Sequence, residues 1–502
     1  MKIRKEPTVE RVDWKAIEAL GIRRLVNDSR RVHRGDTFVA YPGESRDGRD
    51  YIPAAIAGGA SSVLWERAGF EWNPRWPVRN LGVRDLRRQA GEIASRAHGY
   101  PSRRLGVIGV TGTNGKTTCS QWIAQALSRA GHRCAVIGTL GYGLRAPLAP
   151  LVNTTPDALW LHAQLAEFTR RGAQAVAMEV SSIGLDQDRV AGVEFDTALF
   201  TNLSRDHLDY HRTMRKYREA KARLFAWETL RHAVVNLDDA FGAELARRMR
   251  RPGLKIIGYG FGAGGEARAA RIAGSHLVTS GRGVSFAVRT PWGAARVHSP
   301  VLGRYNASNL LGTLAVLLAN GVALRRAIAA LSGLRPAAGR LQRMGGGARP
   351  LVLVDYAHTP DALQQVLTTL RELLASEPRG TGHEPRLICV FGCGGDRDPG
   401  KRPLMGRIAA GLADRVVVTS DNPRGENPRA IIDDIVKGLD ARTQRIAVEA
   451  DRRLAIRRAV TEARRGDIVL VAGKGHEDYQ EIHGRRRPFS DAAVARAALA
   501  GR

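Results

Sequence analysis

The segment Thr111-Gly112-Thr113-Asn114-Gly115-Lys116-Thr117-Thr118 gathers the groups needed to hold a polyphosphate. Gly112 and Gly115 let the backbone pass close to phosphate oxygens, and the amides of such a loop and of the helix start after it point at the anion. Lys116 brings a positive charge for the β- and γ-phosphates, and the Thr117 hydroxyl suits Mg2+. The general phosphate-loop spacing would place glycine at position 110, where this chain has Val110, so the match to that pattern is incomplete. Farther along, Glu179 closes the run Ala175-Val176-Ala177-Met178-Glu179-Val180, well placed as a hard oxygen ligand for a cation. Asp421-Asn422-Pro423-Arg424 offers a guanidinium that can read a carboxylate with two parallel bonds. Taken alone it reads equally well as a turn after a strand, because Asp-Asn-Pro favours turns. Gly394-Gly395-Asp396-Arg397 and Gly473-Lys474-Gly475-His476-Glu477 are two further sharp motifs.

These groups need elements to hold them. The chain has 502 residues, which at roughly 150 residues per domain suggests three domains. The first block, residues 1–102, contains a β-type run, Thr37 to Ala40, a turn-rich stretch from Pro42 to Gly48, and an apolar helix-like stretch, Tyr51 to Ala57. Tyr100-Pro101-Ser102 reads as a linker. The second block, 103–333, opens on Leu105 to Val110, a buried parallel strand, followed by the glycine loop and a helix over Lys116 to Ala130. Strands at Cys134 to Ile137 and Ala175 to Val180 alternate with helical segments, which implies a mostly parallel sheet of the P-loop type. The third block, 334–502, shows strands at Leu351 to Val354, Leu387 to Val390, Arg415 to Val418 and Ile468 to Val471, with helices between them, such as Pro360 to Leu374 and Arg452 to Ala463. That pattern is Rossmann-like, and its ligands belong at the carboxyl ends of the strands, where the three sharp motifs fall. The fold class is therefore α/β in three domains.

Composition narrows the function. Hydrophobic residues make up 43% of the chain, as in ordinary globular proteins. It has no apolar run of about 18 residues, so no membrane span is expected. The charged N-terminus lacks a signal core, and a cytoplasmic location is expected. Cys119, Cys134, Cys389 and Cys393 form no CxxC pair and suggest neither disulfides nor zinc. The net charge of +29 raises a nucleic-acid-binding ATPase as one hypothesis. The arginines are spread through every region without a recognisable nucleic-acid module, so no nucleic-acid partner is expected. Substrates carrying several negative charges would also be drawn to such a surface.

Thr111 to Thr118 resembles the nucleotide loop of the Mur ligases and of the related folylpolyglutamate synthases. Asn153-Thr154-Thr155-Pro156, Met178-Glu179-Val180-Ser181-Ser182 and Thr201-Asn202-Leu203-Ser204-Arg205-Asp206-His207-Leu208-Asp209-Tyr210-His211 look like the central domain of the Mur ligases that add 2,6-diaminopimelate. The resemblance runs from Asp28-Ser29-Arg30 to Ser490-Asp491, nearly the whole chain. It implies an ATP-dependent ligase that joins meso-diaminopimelate to the D-Glu γ-carboxylate of a UDP-MurNAc-dipeptide through an acyl phosphate, acting as a monomer. The same ligase with L-lysine as donor is the alternative within the family.

The resemblance also implies roles residue by residue. Glu179 and His207 would bind Mg2+ with Thr117. Lys221, in Tyr217-Arg218-Glu219-Ala220-Lys221, matches the lysine that the family carbamylates. Lys116, Glu179, His207 and Lys221 would make up the catalytic set, with Lys221, as a carbamate, joining the metal ligands. Asn309, Arg340 and Asp355 would join Gly112, Thr113, Asn114, Gly115, Lys116, Thr117 and Thr118 around ATP, although helix capping is the plainer reading of the asparagines in Asn306-Ala307-Ser308-Asn309. Asn27, Ser29, Glu44, Ser45 and Arg46 would contact the uridine diphosphate, Glu44 being an odd neighbour for an anion. Asn153, Thr154, Thr155, Ser181, Gln187 and Arg189 would surround the sugar and peptide. Arg397, Asp421, Asn422, Pro423, Arg424, Gly473 and Glu477 would select the amino acid, with arginine to carboxylate and glutamate to the distal ammonium. Family members that add lysine lack the arginine found here at 424. One departure stands out: the chain reads Ser181-Ser182-Ile183-Gly184-Leu185 where similar sequences carry a histidine at the third position.

Overall fold

The computed structural model describes residues 12–44, 46–262, 270–376, 384–439 and 446–501. Ser45, expected among the diphosphate contacts, lies outside them. Two compact units are formed. One comprises the residues up to Gly109 with His132–Asp196 and Ala226–Leu230; the other comprises Val110–Gly131, Thr197–Phe225 and Arg231 onwards.

In the first unit, Leu25–Val26, Thr37–Ala40, Ser62–Glu66 and Arg79–Val83 form a parallel sheet in that order. Side chains alternate across its two faces. Val39 and Leu64 pack with Leu86, Ala90 and Ile93 of the helix Leu86–Ala97, while Phe38, Val63 and Trp65 pack with Ile52 and Ala55 on the other side. Both oxygens of Glu66 are used locally, on the amides of Ala68 and Leu86, so this buried acid caps the helix that follows. Cys134–Gly138 pairs parallel with Ala175–Glu179 and antiparallel with Gly141–Gly143. The helix Ala158–Arg170 is capped by Asp157, which accepts from Trp160 N at 3.0 Å, and its Leu159 joins the core beneath the first sheet.

The expected linker at Tyr100-Pro101-Ser102 is instead a 3-10 turn, Pro101–Arg104, with Pro101 and Ser102 buried. Ser102 Oγ accepts from Glu194 N at 3.1 Å and Arg103 pairs with Glu194, so the segment is docked rather than free.

In the second unit, Thr197–Phe200, His232–Asn236, Lys255–Gly260 and Ala270–Ser280 run parallel, and then Gly283–Thr290 and Gly293–Ser299 add an antiparallel meander. The sequence reading contained no strands here. The signal was period-two alternation, with Val284, Phe286 and Val288 buried between more accessible neighbours.

The final sheet has the order Gln342–Gly345, Leu351–Asp355, Ile468–Ala472, Leu387–Phe391, Arg415–Val418, Ile446–Val448, with only the first strand antiparallel. Helices cover both faces. Leu363, Leu367, Met405 and Ile431 fill one layer, and Ile456, Ala459, Val494 and Ala495 the other. The Rossmann-like expectation holds. This strand order sets the loops after Asp355, Ala472, Phe391 and Val418 side by side at one edge.

Candidate active site

Gly115 caps the helix Lys116–Arg129 with φ +84°, and Gly112 has φ +150°. A Cβ on Gly112 would stand 1.9 Å from Thr201 Oγ1, and one on Gly115 would stand 2.7 Å from Asn309 Oδ1. Glycine is required at both positions by contact as well as by dihedral angle. The loop is pinned from outside: Asn114 N donates to Asn202 Oδ1 at 2.9 Å, Thr113 N donates to Asn202 O at 2.8 Å, and Ser204 N donates to Thr113 Oγ1 at 3.0 Å. Thr118 is buried in the first turn of the helix. Arg340 reaches this loop, with Nη2 donating to Thr117 Oγ1 at 3.1 Å and its guanidinium 4.5 Å from the centre of the Tyr356 ring. Arg340 Nε is buried with no partner among the described residues, a donor that a nucleotide oxygen would satisfy. Asn306 and Asn309 are not caps. Both lie inside the helix Arg304–Ala319, where Asn306 Nδ2 donates to Leu302 O and Asn309 Nδ2 to Asn306 Oδ1. Asp355 spends its two carboxylate oxygens on Leu341 N and Ala357 N, at 2.7 and 2.8 Å.

Two lysines meet on one carbonyl. Lys116 Nζ lies 2.9 Å and Lys221 Nζ 2.8 Å from Gly112 O. Lys221 is buried, with its nitrogen 4.4 Å from the centre of the Tyr217 ring. Burial, reinforced by the charge of Lys116 and opposed by Asp206, holds its pKa well below that of a free lysine. Burial beside Lys116 thus favours the neutral amine. His207, in left-handed backbone at φ +53°, is likewise pushed down to about 4 by burial, against the pull of Asp206, with Lys116 and Lys221 adding to the fall. Asp206 is buried beside it. Burial favours its neutral form, but the basic groups His207, His358 and Lys401 and the His207 amide favour the ionised one, and its pKa lies far below the usual carboxylate range. The sequence motif contained Asp206 but gave it no role; its signal is burial, which composition does not reveal.

The strand-end loops of the final sheet converge. Asn422 Nδ2 donates to Glu477 Oε2 at 2.8 Å. Asp421 Oδ1 accepts from Asn422 N, and a Cβ on Gly473 would come within 2.5 Å of Asp421 Oδ2. Pro423 is buried. Arg424 sits in left-handed backbone at φ +51°, held by Arg424 N to Glu481 O and His483 N to Arg424 O. Its Nη1 donates to Gly395 O at 2.7 Å, and no ion pair engages the guanidinium among the described residues. Arg397 is exposed beside it and bonds Asp396 O. Arg424 and Asp396 are both non-glycine residues at positive φ. Such strain persists where surrounding bonds over-determine it, often at ligand sites.

In the first unit, Glu179 closes its strand with Oε1 on Thr139 N at 2.7 Å and Oε2 on Thr139 Oγ1 at 3.1 Å. Thr139 Oγ1 meets Thr154 Oγ1 at 3.0 Å. Thr155 Oγ1 donates to Glu179 O and accepts from Ser181 N, while Ser181 Oγ caps the short helix Ser182–Asp186. Arg189 donates to Thr155 O and to Gln187 Oε1. Asn153, Thr154, Thr155, Ser181, Gln187 and Arg189 thus form one neighbourhood, with Asn153 exposed. Ile183 is half-buried on that short helix. Asn27 bonds the hydroxyl of the half-buried Tyr41. Ser29 starts a short 3-10 turn capped by Asp28. Arg46 is exposed, with its carbonyl accepting from Gly43 N. Glu44 pairs with Arg87 at 2.9 Å, which accounts for an acid in this region; Arg87 was not singled out from sequence.

Models of three Mur ligase domains match the chain: the Mur ligase family catalytic domain over residues 21–98, the Mur ligase middle domain over 110–317, and the Mur ligase glutamate ligase domain over 339–475. The chain belongs to the Mur ligase family. Among its relatives, the UDP-N-acetylmuramoyl-L-alanyl-D-glutamate–2,6-diaminopimelate ligase of Chromobacterium violaceum is 52% identical over 97% of both chains, and that of Nitrosomonas europaea is 51% identical over 95% of this chain and 93% of its own. A solved structure of a ligase with the same description is 39% identical, covers 96% of this chain and 95% of its own, and superposes with a TM-score of 0.66. The three-domain α/β architecture is that of the Mur ligases, and ATP-dependent amide-bond formation is their activity. Among the described residues no helix is long and apolar enough to cross a membrane.

Proposed function

We propose that this Mur ligase joins meso-diaminopimelate to the D-glutamyl γ-carboxylate of UDP-MurNAc-L-Ala-D-Glu, in the cytoplasmic synthesis of peptidoglycan precursor. The observation that carries the donor assignment is Arg424: one guanidinium nitrogen is anchored on Gly395 O, and among the described residues no carboxylate answers the rest of the fork. Diaminopimelate differs from lysine by one extra carboxylate, which a fixed guanidinium reads with paired bonds. Leaving that fork unanswered by a lysine donor would be costly.

The γ-carboxylate oxygen attacks the γ-phosphorus of ATP and ADP leaves, giving an acyl phosphate. The donor amine then attacks the acyl carbon, phosphate leaves, and a proton is lost from nitrogen. Lys116 and the loop amides offset charge on the transferring phosphoryl group. Arg340, whose Nε has no partner among the described residues, binds nucleotide. Arg189 holds a carboxylate of the acceptor, and Asn27, Ser29 and Arg46 its uridine diphosphate.

Beside the phosphate loop, Thr117 offers a hydroxyl, a hard oxygen donor that suits Mg2+, and His207 an imidazole held neutral at working pH; in the first unit, Glu179 offers a carboxylate. Mg2+ would supply charge neutralisation between the β- and γ-phosphates. A neutral, buried amine is also what carbamylation of Lys221 requires: its lone pair adds to CO2, a proton leaves, and the cationic side chain becomes an anionic one.

The test is direct. Purified protein receives ATP, Mg2+ and the acceptor, with meso-diaminopimelate or L-lysine in separate reactions. ADP release that requires both acceptor and diaminopimelate is expected; equal efficiency with lysine would refute the donor assignment.

A further inference from the structure

Beneath the donor site lies a cation that the reaction above does not use. Lys474 is fully buried, with Nζ 2.9 Å from Asn422 Oδ1 and 2.8 Å from Glu477 Oε2. Asn422 Oδ1 also accepts from Glu481 N at 2.9 Å, and Asn422 Nδ2 donates to the same Glu477 oxygen. This arrangement fixes the amide. Turning Asn422 over would set its NH2 against both the Lys474 ammonium and the Glu481 N–H, placing donor against donor twice. It also divides the labour of Glu477. Oε2 receives two donors from the protein, while Oε1 receives none among the described residues and is not buried.

Charge leads to the same residue. Arg397, Arg424 and Lys474 stand against Asp421 and Glu477 around these loops. Diaminopimelate is net neutral and lysine is cationic, so a buried cation at this place disfavours lysine the more of the two.

We infer that Lys474 is a positioning residue for donor selection: it locks the Asn422 amide and occupies Glu477 Oε2, which reserves Glu477 Oε1 for an ammonium of the incoming amino acid. The inference rests on the reading of Glu477 as a donor contact. Lys474 itself need not touch the substrate, and nothing in its motif announces the role, since a lysine between two glycines reads as a surface residue.

The test uses the full chain with ATP and acceptor saturating and meso-diaminopimelate varied, comparing Lys474→Met, Glu477→Gln and the double variant, with thermal unfolding followed for each. Lys474→Met should raise KM for diaminopimelate about tenfold or more while kcat stays within about threefold and KM for ATP is unchanged. Because Lys474 acts through Glu477, the double variant should bind diaminopimelate no worse than Glu477→Gln alone. If Glu477→Gln raises the donor KM and Lys474→Met does not, or if the two losses multiply in the double variant, the positioning role is overturned and the Glu477 contact stands. If Glu477→Gln itself leaves the donor KM unchanged, the contact reading fails and takes the positioning role with it. Should Lys474→Met not fold, Lys474→Gln keeps an N–H for Glu477 and should give an intermediate KM; an unchanged KM would overturn the role.

Discussion

At the scale of single residues, burial converts ordinary side chains into reactive or selective ones. Lys221 would be a solvated cation on any exposed helix. Packed on Tyr217 and sharing Gly112 O with Lys116, it is held well below its usual pKa. The motif containing Lys221 was visible in the sequence; the burial that favours its neutral form was not, because that depends on the Gly112 carbonyl 109 positions away. Arg424 was legible as a candidate from its type and its place after a strand. Its left-handed backbone was not, since only Glu481 and His483 from a distant hairpin impose it. Arg424→Ala should raise the donor KM by an order of magnitude or more, about 1.5–3 kcal/mol for a lost charged pair, with kcat for diaminopimelate changed less; steady-state kinetics with varied donor would show it. His162 gives a prediction of another kind. It is fully buried, donates from Nε2 to Ala191 O at 2.9 Å, and is pushed down to about 4 chiefly by burial. Between about pH 6.5 and 4 the unfolded chain takes up this proton and the folded one does not, so the stability is present above pH 6.5 and drains away as pH falls towards 4. The contribution is about 3 kcal/mol at most. His162→Gln keeps a donor and cannot titrate, so its unfolding temperature should fall less steeply than the parent's over that range; parallel curves would exclude the mechanism.

At the scale of elements, the parallel strands of the final sheet were readable because each is a continuous apolar run buried on both faces, such as Leu387–Phe391 and Ile468–Ala472. The meander over Ala270–Ser299 escaped because one of its faces is wet and its pattern is therefore weak. Strand order also explains why motifs far apart in sequence act together: Ile468–Ala472 lies between Leu351–Asp355 and Leu387–Phe391, a neighbourhood that no local signal encodes. The glycine loop is held so closely that Gly112→Ala would force Cβ onto Thr201 Oγ1, a buried hydroxyl already donating to Asn114 O at 2.6 Å. That variant should lose about 2–4 kcal/mol of stability and bind ADP at least an order of magnitude more weakly in calorimetry. Two arginine–aspartate pairs make a contrast. Arg205–Asp398 is half-open to water, and Asp398→Asn should cost under about 1 kcal/mol. Arg452–Asp491 is fully buried, with Arg452 also bonding Ser420 O and Ala472 O, one residue before Asp421 and Gly473. Arg452→Gln should cost about 3–5 kcal/mol, because Asp491 is left buried without its partner. Denaturant unfolding of the two variants would rank them, and equal losses would contradict the burial argument.

For the whole molecule, a net charge of +29 acts on every approaching ligand. The acceptor and ATP are anionic, whereas diaminopimelate is net neutral. Raising ionic strength from about 20 to 300 mM shortens the screening length severalfold. KM for acceptor and ATP should therefore climb several-fold while KM for diaminopimelate stays nearly flat. A flat response for all three would show that the charge has no part in substrate capture, and ATP hydrolysis stimulated by nucleic acid would favour the other use of a basic surface.

One close approach in the first unit bears on how the acceptor is selected. A Cβ on Gly91 would stand 2.1 Å from Ala191 O, and one on Gly192 would stand 2.5 Å from Gly91 O, so the helix Leu86–Ala97 presses backbone to backbone on the turn that follows Arg189. His162 ties the same turn down through Ala191 O. The residues assigned to uridine diphosphate and those assigned to the peptide are thereby mounted on a single rigid frame. Such a frame works as a caliper. On the proposed reading it sets the span between the two ends of the acceptor, so acceptor analogues with one residue more or fewer in the peptide should bind more weakly than the natural length.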